Sequence, residues 1–347
     1  MFRLVSPKMW VILATVVGAM AVAARAQKVP CYFVFGDSVF DNGNNNHFAK
    51  SKAKVNYWPY GIDFARGPTG RFSNGRNIPD FIAEFLGFKN FIPPFAGSPP
   101  AQVQIGFNYA SGGAGIRDET SQHLGGRISL SQQVSNHRGA IAKGGALARP
   151  ERLNKCLYTI NIGSNDYINN YFVKSIYSTS RQYTPDKYAY SLVNLYATHL
   201  KSLYDLGGRK FVLFGISRIG CIPRVVETLG GGKGCAEEVN VAAVLFNKQL
   251  KALVARFNKY LPGAKFTFVD MQSGDVSKLG FTVVNKSCCT VEPGQELCAA
   301  NRPVCPDRTK YVFWDKVHGT EAVNDIVAKG LFMGVTTSPY TIDQLIK

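Results

Sequence analysis

The stretch CYFVFGDSVFDNGNNN, residues 31–46, decides the fold. Cys31 to Phe35 is a short apolar run, too short for a helix and closed by Gly36, the pattern of a strand buried on both faces. A polar loop rich in Gly, Asp and Asn follows it. The same grammar recurs along the chain. Ile105–Tyr109, Cys156–Ile162, Lys210–Ile216 and Lys265–Val269 read as further strands. Between them lie helices over Asn77–Leu86, Ile128–Lys143, Thr184 to about Leu206, and Ala236–Tyr260, with a closing helix over Thr320–Lys329. Thr184-Pro185 is a helix start with a capping hydroxyl and Pro in the first turn, and Gly207-Gly208 is the matching stop. Val239, Ala242, Leu245, Phe246, Leu250, Leu253, Val254 and Phe257 form one helical stripe, which reads as core. Alternation of this kind implies a parallel sheet with helices on both faces, and ligands then bind beyond the carboxyl ends of the strands.

Three chemically able segments stand at such positions, and a fourth precedes the last helix. Ser38 follows the first strand; alone it reads as a helix cap or loop residue. The lipase elbow G-x-S-x-G is absent, since the nearest match, Gly215-Ile216-Ser217-Arg218-Ile219-Gly220, has its second Gly one position late. After the second strand comes NYASGGAG (Asn108–Gly115), whose glycines let backbone approach a ligand. A nucleotide loop is the rival, but the G-x-G-x-x-G spacing is not met. After the third strand comes Gly163-Ser164-Asn165-Asp166, where Asn165 is either an amide donor or part of an Asn-Asp turn. Before the last helix, Asp315 stands three residues ahead of His318, a spacing that lets a carboxylate hold an imidazole in one tautomer. His47, His123, His137 and His199 have no comparable local partner.

Together, FGDSVFDNGNNN, GRFSNGRNIPDFIAE (Gly70–Glu84), NYASGGAGI, INIGSNDYINNYF (Ile160–Phe172), IGCIPR (Ile219–Arg224) and CPDRTKYVFWDKVHGTEAVN (Cys305–Asn324) closely resemble the GDSL, or SGNH, hydrolases, in particular their plant branch. The resemblance spans nearly the whole chain after residue 26. It implies a flavodoxin-like α/β/α sandwich around a five-stranded parallel sheet. It also implies ester hydrolysis without metal or organic cofactor, with Ser38 as nucleophile, His318 as base and Asp315 orienting it. The oxyanion hole would combine the N–H of Ser38, the N–H of Gly113 rather than its neighbour Gly112, and the side chain of Asn165. Two departures from the family pattern stand out: Val39 replaces Leu after the serine, and Gly319 replaces the Pro after the histidine, which would loosen the turn holding His318. The resemblance leaves the substrate open between lipid or small acyl esters and acylated wall polysaccharide or cuticle precursors, with transfer to an alcohol as a variant. A basic wall-binding protein on a retired hydrolase fold is the non-enzymatic alternative.

Residues 1–26 read as a secretory leader: Arg3 and Lys8, an apolar run from Met9 to Ala24, then Ala24-Arg25-Ala26. The run is shorter than the ~20 residues of a membrane span, and residues 27–347 then form a single domain. Export makes the eight cysteines disulfide candidates. Cys221 and Cys235 flank a Gly-rich loop, and Cys31 and Cys156 begin two predicted strands. Adjacent Cys288 and Cys289 need separate partners, with Cys298 and Cys305 nearby. Asn285-Lys286-Ser287 is a glycosylation sequon, expected on an exposed loop. The formal charge is +17, and the leader holds three of the basic residues, leaving about +14 on 37 basic and 23 acidic residues. The basic residues are scattered rather than bunched into a stripe, which disfavours nucleic acid. Anionic cell-wall polysaccharide suits an exported basic protein, as does a plain solubility role.

Overall fold

The structure, a computed structural model, describes residues 26–99, 104–145, 149–273 and 276–347. Apart from Ala26, the expected leader lies outside the described residues.

Four strands form a regular parallel ladder in chain order: β1 (Tyr32–Gly36), β2 (Leu157–Asn161), β3 (Lys210–Phe214) and β4 (Lys265–Val269). Their starts are level, with Tyr32 opposite Leu157, Leu157 opposite Lys210 and Lys210 opposite Lys265. Side chains alternate between two apolar layers, as a period of two requires. Phe33, Phe35, Tyr158, Ile160, Phe211, Leu213, Phe266 and Phe268 enter one layer; Tyr32, Val34, Leu157, Val212, Phe214 and Val269 enter the other.

The first layer is covered by α2 (Leu130–Lys143), α3 (Pro185–Asp205) and α4 (Glu237–Tyr260), the second by α1 (Ile78–Phe85), α5 (Glu321–Met333) and α6 (Ile342–Ile346). The result is a three-layer α/β/α sandwich. The stripe read on α4 is indeed its inner face: Val239, Ala242, Phe246, Leu250, Leu253, Val254 and Phe257 are buried. Each such large side chain contributes ~1.5–3 kcal/mol of transfer free energy. At the start of α1, Asn77 accepts the Asp80 N–H while Asp80 accepts the Asn77 N–H, a reciprocal cap.

The fifth parallel strand is only partly formed. Ile105–Tyr109 lies against the outer edge of β1, where Ile105 and Phe107 carbonyls accept the Tyr32 and Val34 N–H groups, and Tyr109 donates to the Val34 carbonyl. Only Val34 and Asn108 form a regular bridge. The cause is Gly106, held at φ +108° so close to β1 that a Cβ there would sit 1.9 Å from the Tyr32 carbonyl oxygen. The fifth strand of the regular sheet is instead a two-residue antiparallel strand, Thr337–Ser338, paired with β4.

A second, two-stranded parallel sheet joins Val283–Ser287 to Tyr311–Phe313. It borders a third apolar cluster of Val55, Tyr60, Phe72 and Trp314 with four half-cystines. The disulfides are Cys31–Cys156, Cys221–Cys235, Cys288–Cys305 and Cys289–Cys298. The first two match the pairs suggested by position, and the last two settle the choice left open at the adjacent cysteines. Asn285 is exposed but lies within the Val283–Ser287 strand, not on a loop.

Candidate active site

Where β1 ends, the chain must turn without losing its backbone partners. Gln133 on α2 brackets Gly36: its Oε1 accepts the Gly36 N–H at 2.9 Å and its Nε2 donates to the Gly36 carbonyl at 2.8 Å. Asp37 follows, fully buried, its carboxyl accepting the Val39 N–H at 3.1 Å. Burial pushes its pKa up to about 7 against the pull of that bond and of nearby His318. The tight turn leaves Ser38 beyond the strand end, with its Oγ 2.8 Å from His318 Nε2.

His318 comes from the far end of the sequence, 280 residues away. Asp315 Oδ2 lies 2.8 Å from its Nδ1, and Asp315 Oδ1 accepts the N–H groups of Val317 and His318 at 2.8 and 2.7 Å. An ionised carboxylate only accepts, so Nδ1 carries the proton and the Nε2 lone pair faces the serine. Asp315 is fully buried and receives a further bond from the Tyr60 hydroxyl at 2.7 Å. Tyr60 in turn accepts the Cys298 N–H at 3.0 Å. Behind the loop, the Trp314 carbonyl accepts the N–H groups of both Cys288 and Cys289. The disulfide-rich cluster therefore braces the Asp315–His318 turn.

Gly319 does not loosen that turn. The Trp314 N–H donates to the His318 carbonyl at 2.7 Å and the Thr320 N–H to the Val312 carbonyl at 3.0 Å, pinning the backbone on both sides of it. Gly319 pairs with Phe313 at a position of this ladder that uses neither residue's own N–H.

The two other expected segments border the end of β1: the Ser111 N–H donates to the Gly36 carbonyl at 3.0 Å and the Asp37 N–H to the Asn161 carbonyl at 3.1 Å. Asp41 Oδ2 accepts the Gly112 N–H at 2.9 Å, so Gly112 is engaged within the protein. Among the described residues the N–H groups of Gly113 and Ser38 have no protein acceptor. Gly113 has φ +79°, a conformation that an L side chain would strain. On its other side the loop is tied down by Asp166, whose carboxylate accepts the Ile116 and Arg117 N–H groups at 2.8 and 3.1 Å and the Thr120 hydroxyl at 2.7 Å. Burial raises the pKa of Asp41 and of Asp166 to about 6 in spite of these bonds. Asn165 donates from Nδ2 to the Ala114 carbonyl at 3.0 Å, which ties its amide to the same loop.

Ser38, His318 and Asp315 are thus joined by direct hydrogen bonds, and Asn165 is bonded to the loop that carries Gly113. The sequence reading missed the residues that support them: Gln133, Tyr60 and Asp41, and also Asn169, which donates to Asn165 Oδ1, and Arg224, which donates to Asn169 Oδ1. Asp41 stood inside the first motif and Arg224 closed the IGCIPR motif. Tyr60 had no signal, because its partner is 255 residues away. The loops that carry Asn42 and Phe91 enclose a cavity of about 760 Å³, which neither Ser38 nor His318 lines.

Residues 32–331 match the model of the GDSL-like lipase/acylhydrolase family. The chain belongs to that family. It is 61% identical over 346 residues to a GDSL esterase/lipase of Arabidopsis thaliana, covering 98% of each chain. Two further GDSL esterases/lipases of the same plant are 59% and 56% identical over 340 residues each, covering 97% of this chain and 97% and 98% of theirs. As a GDSL esterase/lipase the protein is a carboxylic ester hydrolase of the serine type. Among the described residues no helix is long and apolar enough to cross a membrane.

Proposed function

We propose that this GDSL esterase works by two-step acyl transfer through Ser38. The reading rests on one observation above the others: Ser38 Oγ stands 2.8 Å from His318 Nε2, while the opposite ring nitrogen is held by Asp315. His318 takes the Ser38 proton as Oγ attacks the ester carbonyl. The tetrahedral oxyanion is met by the N–H groups of Ser38 and Gly113 and by the Asn165 amide. His318 then gives its proton to the departing alcohol, leaving an acyl-enzyme. Water, deprotonated by the same imidazole, releases the acid.

Lipid or small acyl esters are the substrates this reading favours, with acylated wall polysaccharide second. The basic leader, its apolar run and the four disulfides favour a secreted protein, with Asn285 exposed enough to carry a glycan. Its scattered positive charge suits anionic wall polysaccharide as a surface partner and gives no stripe for nucleic acid. A hydrolysis panel on the disulfide-intact protein tests the assignment, comparing short- and long-chain acyl esters with acetylated xylan and pectin. Turnover of acyl esters that disappears in Ser38→Ala supports it. Turnover that survives in Ser38→Ala refutes the nucleophile, and preference for the polysaccharides moves the substrate class to the second reading.

A further inference from the structure

The Asn165 side chain has one useful orientation and one harmful one. With Nδ2 toward the reacting carbonyl it donates to the oxyanion; turned over, it presents Oδ1 and repels it. The two orientations have nearly the same shape, so packing alone chooses weakly between them. Hydrogen-bond partners must choose, and the partners here form a directed chain.

Asn165 Oδ1 accepts from Asn169 Nδ2 at 2.6 Å. Asn169 is itself an amide and has the same ambiguity. Its Oδ1 accepts from Arg224 Nη1 at 2.8 Å. A guanidinium has donors only and does not lose its proton, so the ambiguity ends there. Facing Arg224, Asn169 must present its oxygen; its nitrogen then faces Asn165, which must answer with its own oxygen. Asn165 Nδ2 is left with two N–H groups, one for the Ala114 carbonyl and one for the oxyanion.

The backbone is shaped for this relay. Tyr167–Tyr171 forms a π-helical turn, with Asn169 at φ −124°, ψ 15°. Such turns cluster at functional sites, and this one brings the Asn169 side chain back onto Asn165. Asn165 and Asn169 are both buried, so water does not compete freely for their amides. Arg224 is fixed in turn: its Nε lies 2.7 Å from Glu296 Oε1, and its backbone N–H donates to the Lys316 carbonyl at 3.0 Å, next to Asp315.

We infer that Arg224 and Asn169 are positioning residues that set the amide orientation of Asn165, so that the hole offers a donor rather than an acceptor. The inference rests on the reading of Asn165 as an oxyanion donor. It also gives the IGCIPR motif a role through its last residue.

Asn169→Asp provides the test, because it keeps the shape and reverses the logic. Arg224 keeps the new carboxylate ionised, and a carboxylate cannot donate. Asn165 must then turn its Nδ2 toward that carboxylate and its oxygen toward the substrate. Turnover of p-nitrophenyl butyrate is measured for wild type, Asn165→Ala, Asn169→Ala, Asn169→Asp and the double variant Asn165→Ala/Asn169→Asp, each checked for cooperative thermal unfolding. Asn165→Ala is expected to lower kcat by ~10²–10³-fold with KM little changed. Asn169→Ala should cost roughly tenfold, the effect of one lost neutral hydrogen bond. Asn169→Asp should be worse than Asn169→Ala and approach Asn165→Ala, yet add almost nothing in the Asn165→Ala background.

A role in packing alone predicts the reverse ranking, with the isosteric Asp milder than Ala; that result overturns the inference. So does an Asn169→Asp defect that persists undiminished without Asn165. If Asn165→Ala keeps near wild-type kcat, the donor reading itself has failed and the relay falls with it. Should Asn169→Asp not fold, Arg224→Met takes its place. It frees the Asn169 amide and should lower kcat severalfold, only where Asn165 is present.

Discussion

The two halves of the proposed active site are held by different physics. The serine side stands on the sheet: Ser38 follows β1, Asn165 follows β2, and the Gly113 loop is tied by the buried carboxylates of Asp41 and Asp166. The imidazole side stands off the main sheet, on a turn braced by Tyr60, Trp314 and the Cys288–Cys305 and Cys289–Cys298 disulfides. One side uses hydrogen-bonded ions sealed in a core, where unpairing is costly. The other adds cross-links to a small apolar cluster outside the main sheet. The sides meet at the Ser38–His318 contact and again where Arg224, bonded to Asn169, donates to the Lys316 carbonyl.

The comparison breaks first if the two sides do not act as one machine. His318→Ala should lower kcat by ~10⁴-fold or more, as removal of one member of a catalytic unit does, while far-ultraviolet circular dichroism stays unchanged. A loss below about a hundredfold would mean that another base serves Ser38. Next, the double variant Cys289→Ala/Cys298→Ala removes a cross-link across a nine-residue separation. It should cost ~2–3 kcal/mol in denaturant unfolding, with kcat falling as the Tyr60–Asp315 support slackens. Unchanged kcat would show that the brace serves the fold alone.

The serine side has its own signature in pH. Asp37, Asp41 and Asp166 have pKa values near 7, 6 and 6 when folded, raised chiefly by burial from the ordinary 3.8. Between those limits the folded protein holds protons that the unfolded chain has released. Their contribution to stability therefore declines as pH rises from about 4 to about 7 and is level above that. Thermal unfolding midpoints measured at pH 5, 6.5 and 8 should fall in that order, and the trend should weaken in Asp41→Asn. The smallest effect belongs to the imidazole side. Gly319→Pro should be neutral or stabilising by up to ~1 kcal/mol, since the Gly319 N–H is not needed by its ladder and Pro restricts the unfolded chain. A loss of stability or of kcat would show that Gly319 is required as glycine.

Sequence reading reached the regular elements further than the residues that brace the two sides. β1 to β4 and the five long helices lie within a residue or two of their expected bounds at most ends, because buried strands and one-sided helices leave periodic patterns. The closing helix runs past Lys329 to Met333. Ser38, Gly113, Asn165, Asp315 and His318 could be proposed from sequence because each stands in a local motif. Tyr60 and Gln133 stand in no such motif, and their roles depend on partners tens to hundreds of residues distant. The Gly106 kink at the sheet edge and the two-residue Thr337–Ser338 strand fell below any periodic signal.

The convergence of both sides on one hydroxyl is tested most directly by covalent labelling. The folded, disulfide-intact protein is treated with a fluorophosphonate and digested, and the modified residue is located by mass spectrometry. A single stoichiometric adduct on Ser38, formed far more slowly in His318→Ala, is the predicted result. An adduct elsewhere, or labelling of Ser38 at the same rate without His318, would contradict the account.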